Sequence, residues 1–542
     1  MRHIAIALLL AGIALGAAAQ QSGPAAPQET DIVVPELLLE IEELELQQVT
    51  AVLPDEGELV LGRMSVLLPG ADELSVDEGA FAVPIPGLAR PADAPSVFSS
   101  GRLGAGTANH IVGELSLFRL GVSPRFRLRF SHEGIDGYQF REAGTGYFAS
   151  NNAIDGWFSG GTERVGTDVE AAFSEEVHGL QGVSDEFYSV GLRRTDVVAA
   201  LEFAPEPVIR LTGSVDAGMA TRIQSVSGSG PVPREQEFTI SPEAEARFGI
   251  RAVDIVASTS YFLRFMRSGE LPVYQDVDFL AGVDVEISST LSTSARAGVL
   301  WEPGEDLRYP WSLRIEMLLV DSLEARLSGG YRIERLTLAD IWSDVPQAGV
   351  GPSNRSGLAP DGQWFAGIGT RWSGPTGLAF ASGVDFIAHD GVVDLEAYDP
   401  ETSRFPYVQR SMLSLVANSR VSWRPGPRVL AEAGWTGRFL DTTYATPTGC
   451  AGGAVRVSDA RQRLTAGAEL QIDFFPDVTM PNLGVSGSFA PSDEIEFSLE
   501  FSDVLAPLLG EVGRPTIGPR VDPGFPFIQP GFRASLFTRI SL

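Results

Sequence analysis

The sequence predicts an all-β protein: a large antiparallel transmembrane β-barrel of about 18–20 strands, an even number, with about 16 and 22 as outer limits. Three observations carry this. From about residue 110 to the end, apolar and polar residues alternate with period two over runs of about 9–12 residues, which is the period of a strand. Short turns alternate with long polar loops, as in barrels with short periplasmic and long extracellular connections. The only long apolar segment lies at the N terminus, so a helical membrane protein is excluded.

Composition narrows the function classes. The chain has 542 residues, 40 Arg plus Lys against 70 Asp plus Glu, and a formal net charge of −30; every cationic side chain is an arginine. That balance disfavours nucleic acid as a partner, because phosphate backbones need clustered positive charge. The 44 % hydrophobic content is too high for a disordered chain. Cys450, the single cysteine, can form neither an internal disulfide nor a cysteine-based metal site.

Along the chain, residues 1–19 read as a signal peptide. Arg2 and His3 precede the apolar stretch Ile4–Ala14, and Ala17-Ala18-Ala19 supplies small residues for cleavage. Residues 20–108 read as an acidic, Pro-rich periplasmic arm or plug remnant. Between Asp31 and Glu78 there are thirteen acids and one base, Arg63. Its segment ELLLEIEELE, residues 36–45, is expected to be a solvated arm rather than a site for calcium or a basic partner. The barrel is expected over 109–542, which places the protein in the outer membrane with lipid as its surroundings.

Within that barrel, Phe126, Leu128 and Phe130 alternate with Arg125, Arg127 and Arg129. Val277–Ile287 alternates against Asp278, Asp284 and Glu286, with Leu280 interrupting the polar face. Trp311–Leu319 alternates against Arg314 and Glu316, and after a turn at 320–322 Leu323–Ile333 alternates against Glu324, Arg326, Arg332 and Glu334. The pattern recurs at Leu413–Trp423, Leu464–Phe474, Ile495–Phe501 and Phe532–Leu542. Turns are expected at 205–207 and 425–427, and long loops at 267–275, 337–362, 391–407, 443–459 and 504–528. Between Ala460 and Pro491 the in–out order does not close. Trp301, Trp311, Trp364, Trp372 and Trp423 fall near strand ends, as an aromatic girdle requires.

A charge facing lipid at mid-depth costs about 2–4 kcal/mol, so the charged positions are assigned to the lumen. The lumen-lining candidates are Arg125, Arg127, Arg129, Asp278, Asp284, Glu286, Arg314, Glu316, Arg326, Arg332 and Glu334. Both signs occur side by side, which suits cross-strand pairing; the triple arginine strand stands apart. No enzyme is expected. Ser131-His132 and His178 are the candidates for a nucleophile and base, but Ser131 and His132 are adjacent in a strand and point to opposite faces, so they cannot form a dyad, and nothing else supports hydrolysis. His110, His132, His178 and His389 show no metal spacing, and no cofactor is implied.

Two stretches resemble TonB-dependent outer-membrane receptors. Gly101–Gly106 followed by Ile111–Leu117 resembles the end of that family's plug, where a Gly-rich turn precedes the first barrel hairpin. Phe497–Leu505 and Pro530–Leu536 are similar to the family's last two strands, with Asp503-Val504-Leu505 and Pro530-Gly531-Phe532 as the counterparts of its motifs. The last strand, Gly531–Leu542, resembles the signal read by the barrel-assembly machinery, although it ends in Leu. The resemblance implies a receptor-like barrel with a reduced or absent plug and, as partners, a small-molecule solute and TonB. Asp31-Ile32-Val33-Val34 is the candidate TonB box, which would add a strand to that partner. The expected function is solute transport across the outer membrane, by such a receptor or by a passive pore. The alternative is a surface structural or adhesion barrel acting through its long loops.

Overall fold

The computed structural model describes residues 97–541 except for 120–123, 139–140, 163, 185, 227–231, 268–271, 321, 346, 351–357, 375, 397–398, 400–403, 443–446, 476–478 and 506–530. The expected signal peptide, residues 20–96 of the expected acidic arm with the candidate TonB box Asp31-Ile32-Val33-Val34, and the terminal Leu542 lie outside the described residues.

The first half of the chain forms β1 (Val97–Gly106), β2 (Ile111–Arg119), β3 (Arg125–Asp136), β4 (Phe148–Gly161), β5 (Val165–Gly179), β6 (Ser189–Glu206), β7 (Ile209–Ser225), β8 (Val232–Ile250), β9 (Val253–Met266), β10 (Tyr274–Ser288) and β11 (Leu291–Trp301). The second half forms β12 (Trp311–Val320), β13 (Leu323–Glu334), the helix α1 (Leu338–Asp344), a short β14 (Ala348–Val350), β15 (Asp361–Ser373), β16 (Leu378–Leu395), β17 (Phe405–Gly426), β18 (Val429–Leu440), β19 (Gly449–Ser458), β20 (Leu464–Phe474), β21 (Thr479–Phe489), β22 (Ile495–Ser502) and β23 (Arg533–Ser541). Apart from β14, which pairs in parallel with β17 at Phe405–Tyr407, every strand pairs antiparallel with its neighbours. The result is a closed barrel of 22 strands.

Closure is made by β1 and β23, in register from Ser100↔Ser541 to Gly106↔Ser535. Gly104 lies opposite Phe537, whose ring covers it; a Cβ built there would come within 2.0 Å of the ring. The Arg102 guanidinium stacks over the same ring at 4.0 Å. His110 adds a polar tie, with Nδ1 2.6 Å from Ser535 Oγ and Nε2 3.1 Å from Glu133 Oε1, joining β23 to β3. Closure removes both sheet edges, which is the condition for a sheet to exist in hydrocarbon.

The alternation resolves into two faces. Leu128, Phe130, Ile154, Phe158, Phe279, Leu313, Leu327, Ile368 and Leu536 stand exposed on the outside. A surface this apolar is stable only against lipid. Short connections (207–208, 251–252, 289–290, 321–322, 427–428) alternate with longer ones (137–147, 302–310, 335–360, 503–532), and both barrel ends lie on the short-turn side. Trp301, Trp311 and Trp364 sit at the long-loop end, whereas Trp372 and Trp423 sit at the turn end. From Trp364 to Trp372 is about 27 Å along the strand at ~3.4 Å per residue. Tilted by ~35–45°, that spans about 21 Å, close to the ~25 Å apolar band of such barrels. The expected girdle is therefore two belts, one at each interface.

The strand number is a correction within the expected limits: 22 rather than 18–20. Three segments account for it. Residues 443–459 were expected to be loop, yet Gly449–Ser458 (GCAGGAVRVS) is strand β19, paired on both sides. Its glycines leave no alternation to read. The barrel begins at Val97, upstream of the expected boundary at 108/109, and Gly101–Gly106 is part of β1 instead of a turn before the first hairpin. Ala460–Pro491 resolves into the hairpin β20–β21 around 475–478, so the in–out order closes.

Candidate functional site: the inner wall and the folded mouth

All the charged positions expected on one face lie on the face opposite the lipid-exposed residues. On β3, Arg129 Nε donates to Asp155 Oδ1 at 2.7 Å, and Arg127 Nη2 reaches Asp155 Oδ2 at 3.4 Å. Arg125 lies over the Trp157 ring at 5.5 Å. On β10, Asp284 accepts from Arg296 of β11 at 2.8 Å. Asp278 neighbours Asp276, which is bound by Arg335 at 2.7 Å, while Glu286 is exposed near the turn end. Across β12–β13, Glu316 is in register with Arg326 and Arg314 with Ser328. Arg332 Nε donates to Gln363 Oε1 at 2.8 Å, and the Gln363 amide donates to Glu334. Cross-strand pairing of opposite charges thus occurs at Arg127, Arg129 and Asp284, and Glu316 stands in register with Arg326.

Sequence reasoning missed the most heavily built part, at the long-loop end. There α1 packs inward against β6 and β7, together with Leu336, Val345, Ala348 and Leu358 of the same connection. Thr337 caps the helix, its Oγ1 accepting from Asp340 N at 3.1 Å. Glu237 of β8 accepts from the Leu338 and Ala339 N–H groups, each at 2.9 Å, placing an anion at the positive end of the helix. Arg264 of β9 donates to the carbonyls of Leu336 and Leu358, at 2.5 and 2.8 Å, and so holds both ends of the connection with one side chain.

Leu338, Trp342, Val345, Ala348 and Leu358 then join Val190, Leu192, Phe405 and Tyr407 in one buried apolar cluster. Around it lie charges that are almost never buried unpaired: Arg222 with Glu235 at 3.1 Å, Glu235 also with Arg404 at 3.3 Å, and Arg264 near Glu237 at 3.9 Å. Arg222, Glu235, Glu237, Arg264 and Asp276 are each 3 % exposed or less. In the neighbouring connection 302–310, burial pushes the Glu302 carboxyl above the usual carboxylate range, with Arg308 opposing. A soluble-type core therefore sits inside one end of the barrel. The signal for it was present in the helical spacing of Leu338, Ile341, Trp342 and Val345, but its partners come from six other strands and no local pattern joins them.

Among the described residues no group of three or more His, Cys, Asp or Glu could hold a metal. His132 and Ser131 face opposite sides, as expected, with His132 Nδ1 2.7 Å from Asn152 Oδ1.

No known family's sequence pattern matches the chain, and no curated protein matches it by sequence. Solved structures do match in fold. A variant of the ferric enterobactin receptor PfeA from Pseudomonas aeruginosa aligns at a TM-score of 0.61 and 10 % identity, over 83 % of this chain and 81 % of that one. The FrpB iron transporter from Neisseria meningitidis aligns at 0.62 and 10 % identity, over 83 % and 81 %. The copper transporter OprC aligns at 0.60 and 12 % identity, over 83 % and 80 %. At such identities the likeness is one of fold: the chain has the barrel of these outer-membrane receptors and transporters, as the resemblance of residues 101–542 implied.

Proposed function

We propose that the protein moves a small solute across the outer membrane through its lumen, as a receptor-like barrel. The observation that carries this reading is the inner wall. A barrel of 22 strands is too wide for its own side chains to fill, and its inner face carries charge of both signs in paired arrays. The neighbours named as receptors and transporters support the same reading.

The inward-packed helix α1 and its buried cluster narrow the long-loop end and set which solutes enter. Arg125, Arg127, Arg129, Asp278, Asp284, Glu286, Arg314, Glu316, Arg326, Arg332 and Glu334 tune passage along the wall below them. Asp31-Ile32-Val33-Val34 docks on TonB, and β23, which ends the barrel, is the strand read by the assembly machinery. Swelling of proteoliposomes in sugars of graded size tests transport. Uptake with a size cut-off supports it; a folded barrel that admits nothing while its loops bind a surface partner would move the assignment to adhesion.

A further inference from the structure

On β3 three arginines share one carboxylate, and aromatic rings stand beside them on the same face. Arg125, Arg127 and Arg129 occupy alternate positions of β3, about 6.8 Å apart along the strand. Among the described residues one carboxylate, Asp155, is in ionic contact with them, while Asp168 and Glu170 stand one strand further on, in register with Ser159 and Trp157. The arginines' spacing lies within the ~8 Å Debye length of physiological salt, so their fields add in the lumen. Arg127 is the open member: its side chain is 52 % exposed and its contact with Asp155 is the longer one.

In register on either side of Arg127 stand Phe118 of β2 and Trp157 of β4. Phe118 stacks on Phe98 of β1, with ring centroids 5.6 Å apart and planes 22° apart. These rings share the arginines' face and not the lipid face, where Leu117, Leu128 and Phe158 stand exposed. Barrel interiors are polar, so these half-buried rings gain nothing from lipid there. Beside a guanidinium they offer a stacking surface next to a bidentate anion partner. Glu170 on β5, in register beyond Trp157, bounds the patch on that side.

We propose that this patch is a binding subsite for a planar anion, an aromatic carboxylate, with the ring against Phe118 or Trp157 and the carboxylate on Arg127. This deepens the transport reading and rests on it for its physiological meaning: β3 starts at a short turn, so the subsite lies at the periplasmic end of the path.

The test uses the full mature chain in detergent micelles, with benzoate, benzamide and benzylammonium as probes in calorimetric titration. Benzoate should bind at least tenfold more tightly than the other two. Arg127→Gln should weaken benzoate at least tenfold, Arg127→Lys should retain part of the binding, and Trp157→Phe should abolish the fluorescence change that benzoate produces. Equal affinity for the three probes, no binding of benzoate, or unchanged binding in a folded Arg127→Gln variant would overturn the subsite. Flux into proteoliposomes separates the two claims. Binding without entry of any probe or neutral sugar would leave the subsite and sink transport. Sugar entry with equal flux of benzoate and benzylammonium would leave transport and sink the subsite.

Discussion

Gly104 has no room for a side chain, because Phe537 of the last strand lies across it while Arg102 covers the other side of the ring. Gly104→Val should therefore lower barrel stability by about 1–3 kcal/mol, the usual cost of overpacking, read from urea unfolding in micelles. Pairing it with Phe537→Ala should recover part of that loss; strict additivity of the two would show that the ring and the glycine do not touch. At a turn between β19 and β20, Asp459 accepts from the backbone N–H groups of Arg463 and Leu464 at 2.7 and 3.1 Å. The Leu464 N–H, foremost among these donors, holds its carboxyl below the usual range. A depressed folded pKa gives stability that is present above the unfolded value of about 3.9 and is lost as pH falls through the folded value. Asp459→Ala should thus destabilise the barrel at pH 7 and make its stability less steep below about pH 4. A parallel acid limb in wild type and variant would contradict this. The residue-level reading was strongest for the charged faces. Arg125, Asp284 and Glu316 were legible as one face because strand geometry fixes alternate side chains to opposite faces, whereas nothing in the local pattern singled out Phe118 or Trp157.

At the scale of elements, local pattern revealed the strands that alternate and hid those that do not. β12 and β13 could be read residue by residue, since Leu, Ile and Met alternate with Arg, Glu and Ser. β19 could not, because Gly449, Gly452 and Gly453 carry no side chain to sort, and its membership in the sheet is set by β18 and β20 on either side. The inward packing of α1 was equally hidden, as Arg264 and Glu237 come from strands that the sequence places far away. Those two residues carry a prediction. Arg264→Met frees the carbonyls of Leu336 and Leu358 and leaves Glu237 buried without its neighbouring cation. Removing one partner from a buried pair costs about 3–5 kcal/mol, enough to release the connection from the wall while the barrel stays closed. Limited proteolysis should then cut within 335–360 in the variant and not in the wild type. Resistance in both would mean that the apolar cluster around Trp342 holds the connection without the charges.

For the whole molecule, the number of strands and the closing register decide what the chain can do. Twenty-two strands in one ring, sealed by β1 on β23, leave a lumen, and the transport proposed for the chain runs through it. The fold class and the membrane were legible because a two-faced strand with an apolar exterior has few alternatives once no helix can span. The strand number was not, because a ring is a global condition that no single stretch encodes. The most direct test of the transport claim is single-channel conductance of the refolded mature protein, measured beside a deletion of residues 20–96. That deletion spares β1, whereas one reaching residue 108 would remove a wall strand. Stepwise conductance in the deletion, with or without conductance in the full chain, is the predicted result, and a difference between the two would show that the N-terminal region seals the lumen. Silence from both proteins, with heat-modifiable migration showing that each barrel has folded, would contradict the account.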